Sequence, residues 1–191
     1  MLEEVITNRN AALTTLNLFK EVKGLCKFVG KSKEDGTVMT FPAIYEGNDS
    51  LKFVTQYDFR NGVLFHVQRE AVSIERLDTG LRANNDLLRY NYPMQCIAIV
   101  GAKKIDDNNY TPDKLGWNLS NKINGRINSL RLTLGLNAVN VDVENINTED
   151  NQVDEIFTNV ELKFKHELVI ATIDYSVLLD GYQDCFTPYT C

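Results

Sequence analysis

The chain has 191 residues, 43% of them hydrophobic and 24% charged, with 20 Lys+Arg against 26 Asp+Glu for a formal net charge of −6. That length suits one domain spanning 1–191, able to bury about 70% of its unfolded surface, and the composition lies far from that of disordered chains. An acidic total excludes phosphate binding spread over the whole surface, so any nucleic-acid contact must be local.

The start, Met1-Leu2-Glu3-Glu4, is acidic and is followed by no apolar signal region, so no secretory leader is expected. The longest apolar run, Cys96-Ile97-Ala98-Ile99-Val100, is far below the ~18 residues of a membrane span and suits a buried strand, so no membrane partner is expected. Cys26, Cys96, Cys185 and Cys191 form no C-x-x-C pair or zinc-spaced cluster and are read as reduced thiols.

In chain order, Leu2, Val5, Ile6, Leu13, Leu16, Phe19 and Val22 make one apolar stripe, which predicts a helix over 2–22 capped by Gly24. Short β-like runs follow at Leu25–Val29, Val38–Tyr45 and Leu51–Gln56, separated by the turns Glu34-Asp35-Gly36 and Gly47-Asn48-Asp49, with Pro42 expected at an edge or bulge. Asn61-Gly62 launches an alternating strand through Val63, Phe65 and Val67, and Val72 and Ile74 continue it or open another. Residues 80–90 suit a short helix, after which Tyr92-Pro93 hands over to the strand Met94–Val100. Thr111-Pro112-Asp113 opens the strongest helix, with Leu115, Leu119, Ile123, Ile127, Leu130 and Leu134 on its apolar face and Gly135 at its end. Val139, Val141 and Val143 alternate as a strand, the acidic stretch Asn145–Glu155 is read as a loop or short turn, and a last strand is expected from Val160. Its apolar phase flips near residue 168, which implies a bulge or a far half packed on a neighbouring chain.

The pattern predicts an α+β fold, an antiparallel or mixed sheet with long hairpins packed by an N-terminal helix and a second long helix. No phosphate-cradling glycine motif or nucleophile elbow occurs, and His66 and His166 stand without ligand-spaced partners, so no cofactor, metal or catalytic residue is expected. Glu161-Leu162-Lys163, with Asp142 or Asp154 upstream, loosely resembles the metal-binding core of PD-(D/E)xK nucleases; the competing reading is a solvated strand face. Asp142, Glu144, Glu149, Asp150, Asp154 and Glu155 lack calcium-loop spacing.

Charge order is more informative than any motif. No carboxylate lies between Lys114 and Val141, and Lys114, Lys122, Arg126 and Arg131 fall on the predicted long helix, directly before an all-acidic segment. They are candidate interaction residues, facing DNA, an acidic partner or the chain's own acidic loop. Tyr182, Phe186 and Tyr189 are the candidates on a C-terminal docking tail of about 178–191, with the hairpin Lys31–Gly36 and the loop Gly47–Ser50 as further contact elements.

The order Leu2–Val22 helix, strands from Leu25 to Val100, Pro112–Leu134 helix, then Val139–Val143 and Val160–Val177, resembles that of the small structural proteins of the neck and upper tail of tailed bacteriophages, of tail-terminator, tail-completion or ring type. The high Asn content, about one residue in ten, and the ending Glu167-Leu168-Val169-Ile170-Ala171-Thr172-Ile173-Asp174-Tyr175 are similar to virion proteins of phages of low-GC hosts, crAss-like phages among them. The resemblance implies a non-enzymatic virion subunit, assembled in the host cytoplasm into a homo-oligomeric ring that contacts portal, neck or tail proteins and passes DNA through its lumen. A PD-(D/E)xK-like nuclease and a small monomeric binding module are the alternatives.

Overall fold

The computed structural model describes residues 2–47, 50–54, 59–77, 87–105, 112–127, 132–134, 137–147, 156–160, 162 and 165–182. Through them run α1 (Leu2–Thr14), β1 (Glu21–Ser32), β2 (Val38–Gly47), β3 (Ser50–Phe53), β4 (Val63–Gln68), β5 (Ser73–Leu77), β6 (Leu87–Gly101), α2 (Ala102–Ile105), α3 (Pro112–Ile127), β7 (Leu132–Leu134), β8 (Asn137–Asn147) and β9 (Leu168–Tyr182). The nine strands order as β3-β2-β1-β4-β6-β9-β8-β7, with β5 also paired to β6. β1 and β4 pair in parallel and every other pair is antiparallel. The fold is therefore α+β with a mixed sheet, as the pattern predicts.

Both faces of the central strands are buried, which is why Cys96–Val100 reads as a continuous apolar run. Successive side chains alternate faces. Leu64, Met94, Cys96, Ala98, Val100 and the odd-numbered residues from Val169 to Leu179 point to one side, where Val5, Ile6 and Leu13 of α1 and Leu115, Leu119 and Ile123 of α3 cover them. Val63, Phe65, Val67, Ile97, Ile99 and Ile170 point to the other side and pack with Cys26, Phe41, Phe59, Ile156 and Phe157.

β1 makes that second core possible by changing partners along its length. Its first half lies beside β4 as far as Cys26↔Val67, and from Lys27 onward it pairs with β2. A bulge between Val22 and Leu25, holding Lys23 and Gly24, bends the strand, so Gly24 belongs to a strand and not to a helix cap. The resulting β1–β2–β3 wing carries Phe41 over the apolar face and leaves Phe28, Val38 and Leu51 exposed. Its tip is the tight turn at Lys33–Gly36, where Thr37 N–H donates to Asp35 Oδ1 at 2.9 Å and lowers the Asp35 pKa. At the wing's base Gly62 adopts φ +83°, and a Cβ there would lie 2.0 Å from the Leu18 carbonyl oxygen, so only glycine fits where β4 begins.

Four expectations are corrected. The first helix stops at Thr14, not Val22: i→i+3 bonds close its last turn, Thr14 and Thr15 hydroxyls bond back to Asn10 and Ala12 carbonyls, and Asn17 at φ 55° turns the chain out. Leu18 and Phe19 still reach the core, but from an irregular segment. Residues 87–90 belong to β6 and not to a short helix, and Pro93 lies inside that strand. It is tolerated because its carbonyl accepts from Arg69 N–H at 3.0 Å, so its missing N–H faces the gap between the last β4 pair, Gln68↔Met94, and the first β5 pair, Ser73↔Asn91.

The long helix ends at Ile127, and Leu134, expected on its apolar face, lies in β7 (Leu132–Leu134), in a hairpin with β8. Leu130, Leu132, Leu134 and Leu136 alternate with period 2 as well as fitting a helix, and pairing with β8 selects the strand for 132–134. The closing strand begins at Leu168, after an irregular Ile156–Val160 segment and a 3-10 turn at Lys165–Glu167, so the phase flip marks its start. Its far half is held between β6 and β8 of the same chain and needs no neighbour.

Candidate functional site

α3 forms because apolar residues recur every third or fourth position after a proline that suits the first turn. Leu115, Leu119 and Ile123 are fully buried against the sheet and α1. At ~3.6 residues per turn the outward side carries Trp117, Asn118, Asn121 and Gly125, while Lys122 and Arg126 lie at the margin of the Leu115–Leu119–Ile123 stripe; all six are exposed. Lys122 and Arg126, one turn apart, run along that margin, and Trp117 stands about half a turn round the helix from Arg126 with Asn118 and Asn121 between.

Lys122 makes no ion pair among the described residues, and from Lys114 onward the helix carries no acid to neutralise it. Trp117 is 59% exposed. A large indole beside exposed amides stacks on planar groups and buries apolar area on contact, and the exposed cations along the helix margin attract anions. The charge order singles out Lys122 and Arg126, and both are exposed, one turn apart at the edge of the buried stripe. Trp117 was missed, although the chain's only tryptophan lies off the 115/119/123/127 stripe and must therefore point outward.

The other candidates fare differently. Lys114 lies in the first turn of α3, its side chain outside the described set, and Arg131, Phe186 and Tyr189 lie outside the described residues. Tyr182 closes β9. The docking tail expected over about 178–191 is corrected at its start: Leu178–Tyr182 are strand, in register with Leu87–Asn91, and 183–191 lie outside the described residues. Of the nuclease-like set, Glu161, Lys163 and Asp154 lie outside the described residues, Asp142 sits in β8 opposite Ser176, and the strand expected to present Glu161 and Lys163 starts only at Leu168.

A second polar constellation lies inside, between α1 and the sheet. Asn10 Nδ2 donates to the Lys23 carbonyl at 3.0 Å, so its Oδ1 accepts from His66 Nε2–H at 3.0 Å. The remaining ring nitrogen, Nδ1, must then accept from the Tyr175 hydroxyl at 2.8 Å. His66 is completely buried and burial pushes it down to about 4, so the ring is neutral at pH 7. Burial likewise holds Tyr175 well above the ordinary phenol and lowers the Arg9 guanidinium, which occupies the core stripe of α1 between Ile6 and Leu13.

Every nitrogen of the His66 ring is engaged, so the cluster anchors α1 to β4 and β9 and offers nothing to a ligand. Cys26 and Cys96 are buried thiols, and burial raises Cys26 to about 12 and Cys96 further. Among the described residues no three His, Cys, Asp or Glu side chains converge as a metal group, and no helix there is long and apolar enough to cross a membrane. No protein-family model matches the chain, and no curated protein matches it significantly.

Proposed function

We propose that the chain is a non-enzymatic assembly subunit of the kind that forms rings in the neck or upper tail of a tailed phage, and that it engages polyanionic or acidic partners through the exposed surface of α3. The observation that carries the reading is that surface: an exposed Trp117 on its outward side and the exposed cations Lys122 and Arg126 along its margin, on a helix free of acids after Asp113, in a chain whose net charge is −6. A closed ring of more than two subunits needs two different surfaces on each subunit, complementary to each other. The wing supports the second, since Phe28, Val38 and Leu51 are 46%, 49% and 41% exposed on a hairpin that ends in the short strand β3.

The test is native mass measurement of the purified chain, joined to Trp117 fluorescence titrated with a DNA duplex and with a poly-glutamate peptide. A discrete oligomer, and quenching by one of the two polyanions that Lys122→Glu abolishes, are the expected results. A persistent monomer whose Trp117 responds to neither polyanion overturns the proposal. A monomer that binds one of them overturns the ring and leaves a binding module.

A further inference from the structure

Where β6 ends and the chain turns into α2, a cavity of about 650 Å³ opens between α2, the 3-10 turn at Phe59–Asn61 and the one at Lys165–Glu167. Among the described residues three cations line it, Arg60, Lys103 and Lys104, with one carboxylate, Glu167. The close packing of its walls puts the cations together: a Cβ on Gly101 would lie 2.9 Å from the Arg60 carbonyl oxygen, so β6 approaches the Phe59–Asn61 turn to backbone contact. Lys104 Nζ donates to the Asn61 carbonyl at 2.6 Å, which fixes one ammonium at the wall, and Lys103 beside it makes no ion pair among the described residues.

The volume falls within the ~300–1,000 Å³ of small-molecule sites. A carboxylate side chain from a partner would leave most of it to water. Arginine and lysine together match a phosphate group, while a carboxylate in the same lining accepts hydrogen bonds from hydroxyls.

We propose that this cavity binds a small phosphate ester carrying free hydroxyl groups, of the sugar-phosphate or nucleotide class, with the phosphate toward Arg60, Lys103 and Lys104 and the hydroxyls toward Glu167. This site is separate from the α3 face and stands whether or not the chain forms rings.

Calorimetric titration of the full chain with ribose 5-phosphate, and separately with inorganic phosphate, tests it. Saturable one-to-one binding is expected, tighter for ribose 5-phosphate. Lys103→Ala weakens both about tenfold, Glu167→Gln weakens ribose 5-phosphate but not inorganic phosphate, and Lys31→Ala on the wing changes neither. Absence of saturation up to about 10 mM, undiminished binding by Lys103→Ala, or an equal gain for both probes in Glu167→Gln overturns it. So does loss of duplex DNA binding in Lys103→Ala with no ribose 5-phosphate binding in the parent chain.

Discussion

The two faces of the central strands share one backbone and are closed by different means. Beneath the helices the core is interrupted by the chain Lys23 carbonyl–Asn10–His66–Tyr175, with Arg9 beside it. Beneath the wing the core is apolar, built on Phe65 with Phe59 and Phe157, whose rings stand 5.3 Å apart. Apolar contact is non-directional, so the second face supplies burial and tolerates small shifts. Hydrogen bonds to a buried ring tolerate none, so the first face gives up some burial to fix where α1 sits. The contrast also runs along the strands. Beyond the wing's cover, the face that buries Ile97 and Ile99 carries instead Arg89 paired through two 2.7 Å bonds to Asp180, and Asp174 held by Arg69 and Gln95.

The contrast can be broken most severely on the apolar side. Phe65→Ala removes a fully buried ring and is expected to destabilise the chain by about 3–5 kcal/mol, read as a lower midpoint in urea unfolding. Acid breaks the polar side almost as far. His66 titrates at about 4 when folded against an ordinary 6.5, so the unfolded chain binds the extra proton between those values. The stability tied to the neutral ring is complete above pH ~6.5 and is lost as pH falls toward ~4, on the order of 3 kcal/mol in all. Unfolding curves from pH 7 to 4 should be steeper for the parent than for His66→Gln; equal slopes would contradict a buried neutral imidazole.

A smaller cut, Tyr175→Phe, leaves His66 Nδ1 buried without its donor and should cost about 1–3 kcal/mol while far-UV circular dichroism stays unchanged. The smallest effect on stability belongs to the outside. Trp117→Ser should stay within about 0.5 kcal/mol of the parent yet weaken polyanion binding; destabilisation by 2 kcal/mol or more would mean that the indole is packed and not presented.

Much of this was legible in local sequence, and the reasons for the failures are specific. The alternation of β4 behind Asn61-Gly62, the Pro112 start of α3 and the alternating valines of β8 were read correctly, because each is a short-range pattern that tertiary contacts reinforce. The end of α1 was misplaced because Leu16, Leu18 and Phe19 carry the apolar pattern onward in a segment that is no longer helical. Arg9 was passed over as a gap in that stripe, although a polar residue in a core-facing position is itself a signal of a buried network. Of the candidate site, Lys122 and Arg126 were found from charge order, while Trp117 required asking which residue of the helix has nothing to pack against.

Local sequence suffices for the α+β class, for elements such as β4, β8 and the start of α3, for the two-faced burial of the Cys96–Val100 strand and for a helix without acids after Asp113, since these depend on composition and period alone. Tertiary structure decided which segments met: that β1 deserts β4 for β2, that Pro93 falls at the break between β4 and β5, and that Arg60 lies beside Lys103 and Lys104. Those are pairings between residues far apart in the chain. Their free energy comes from surfaces that exist only after both partners have folded, so no local pattern encodes them.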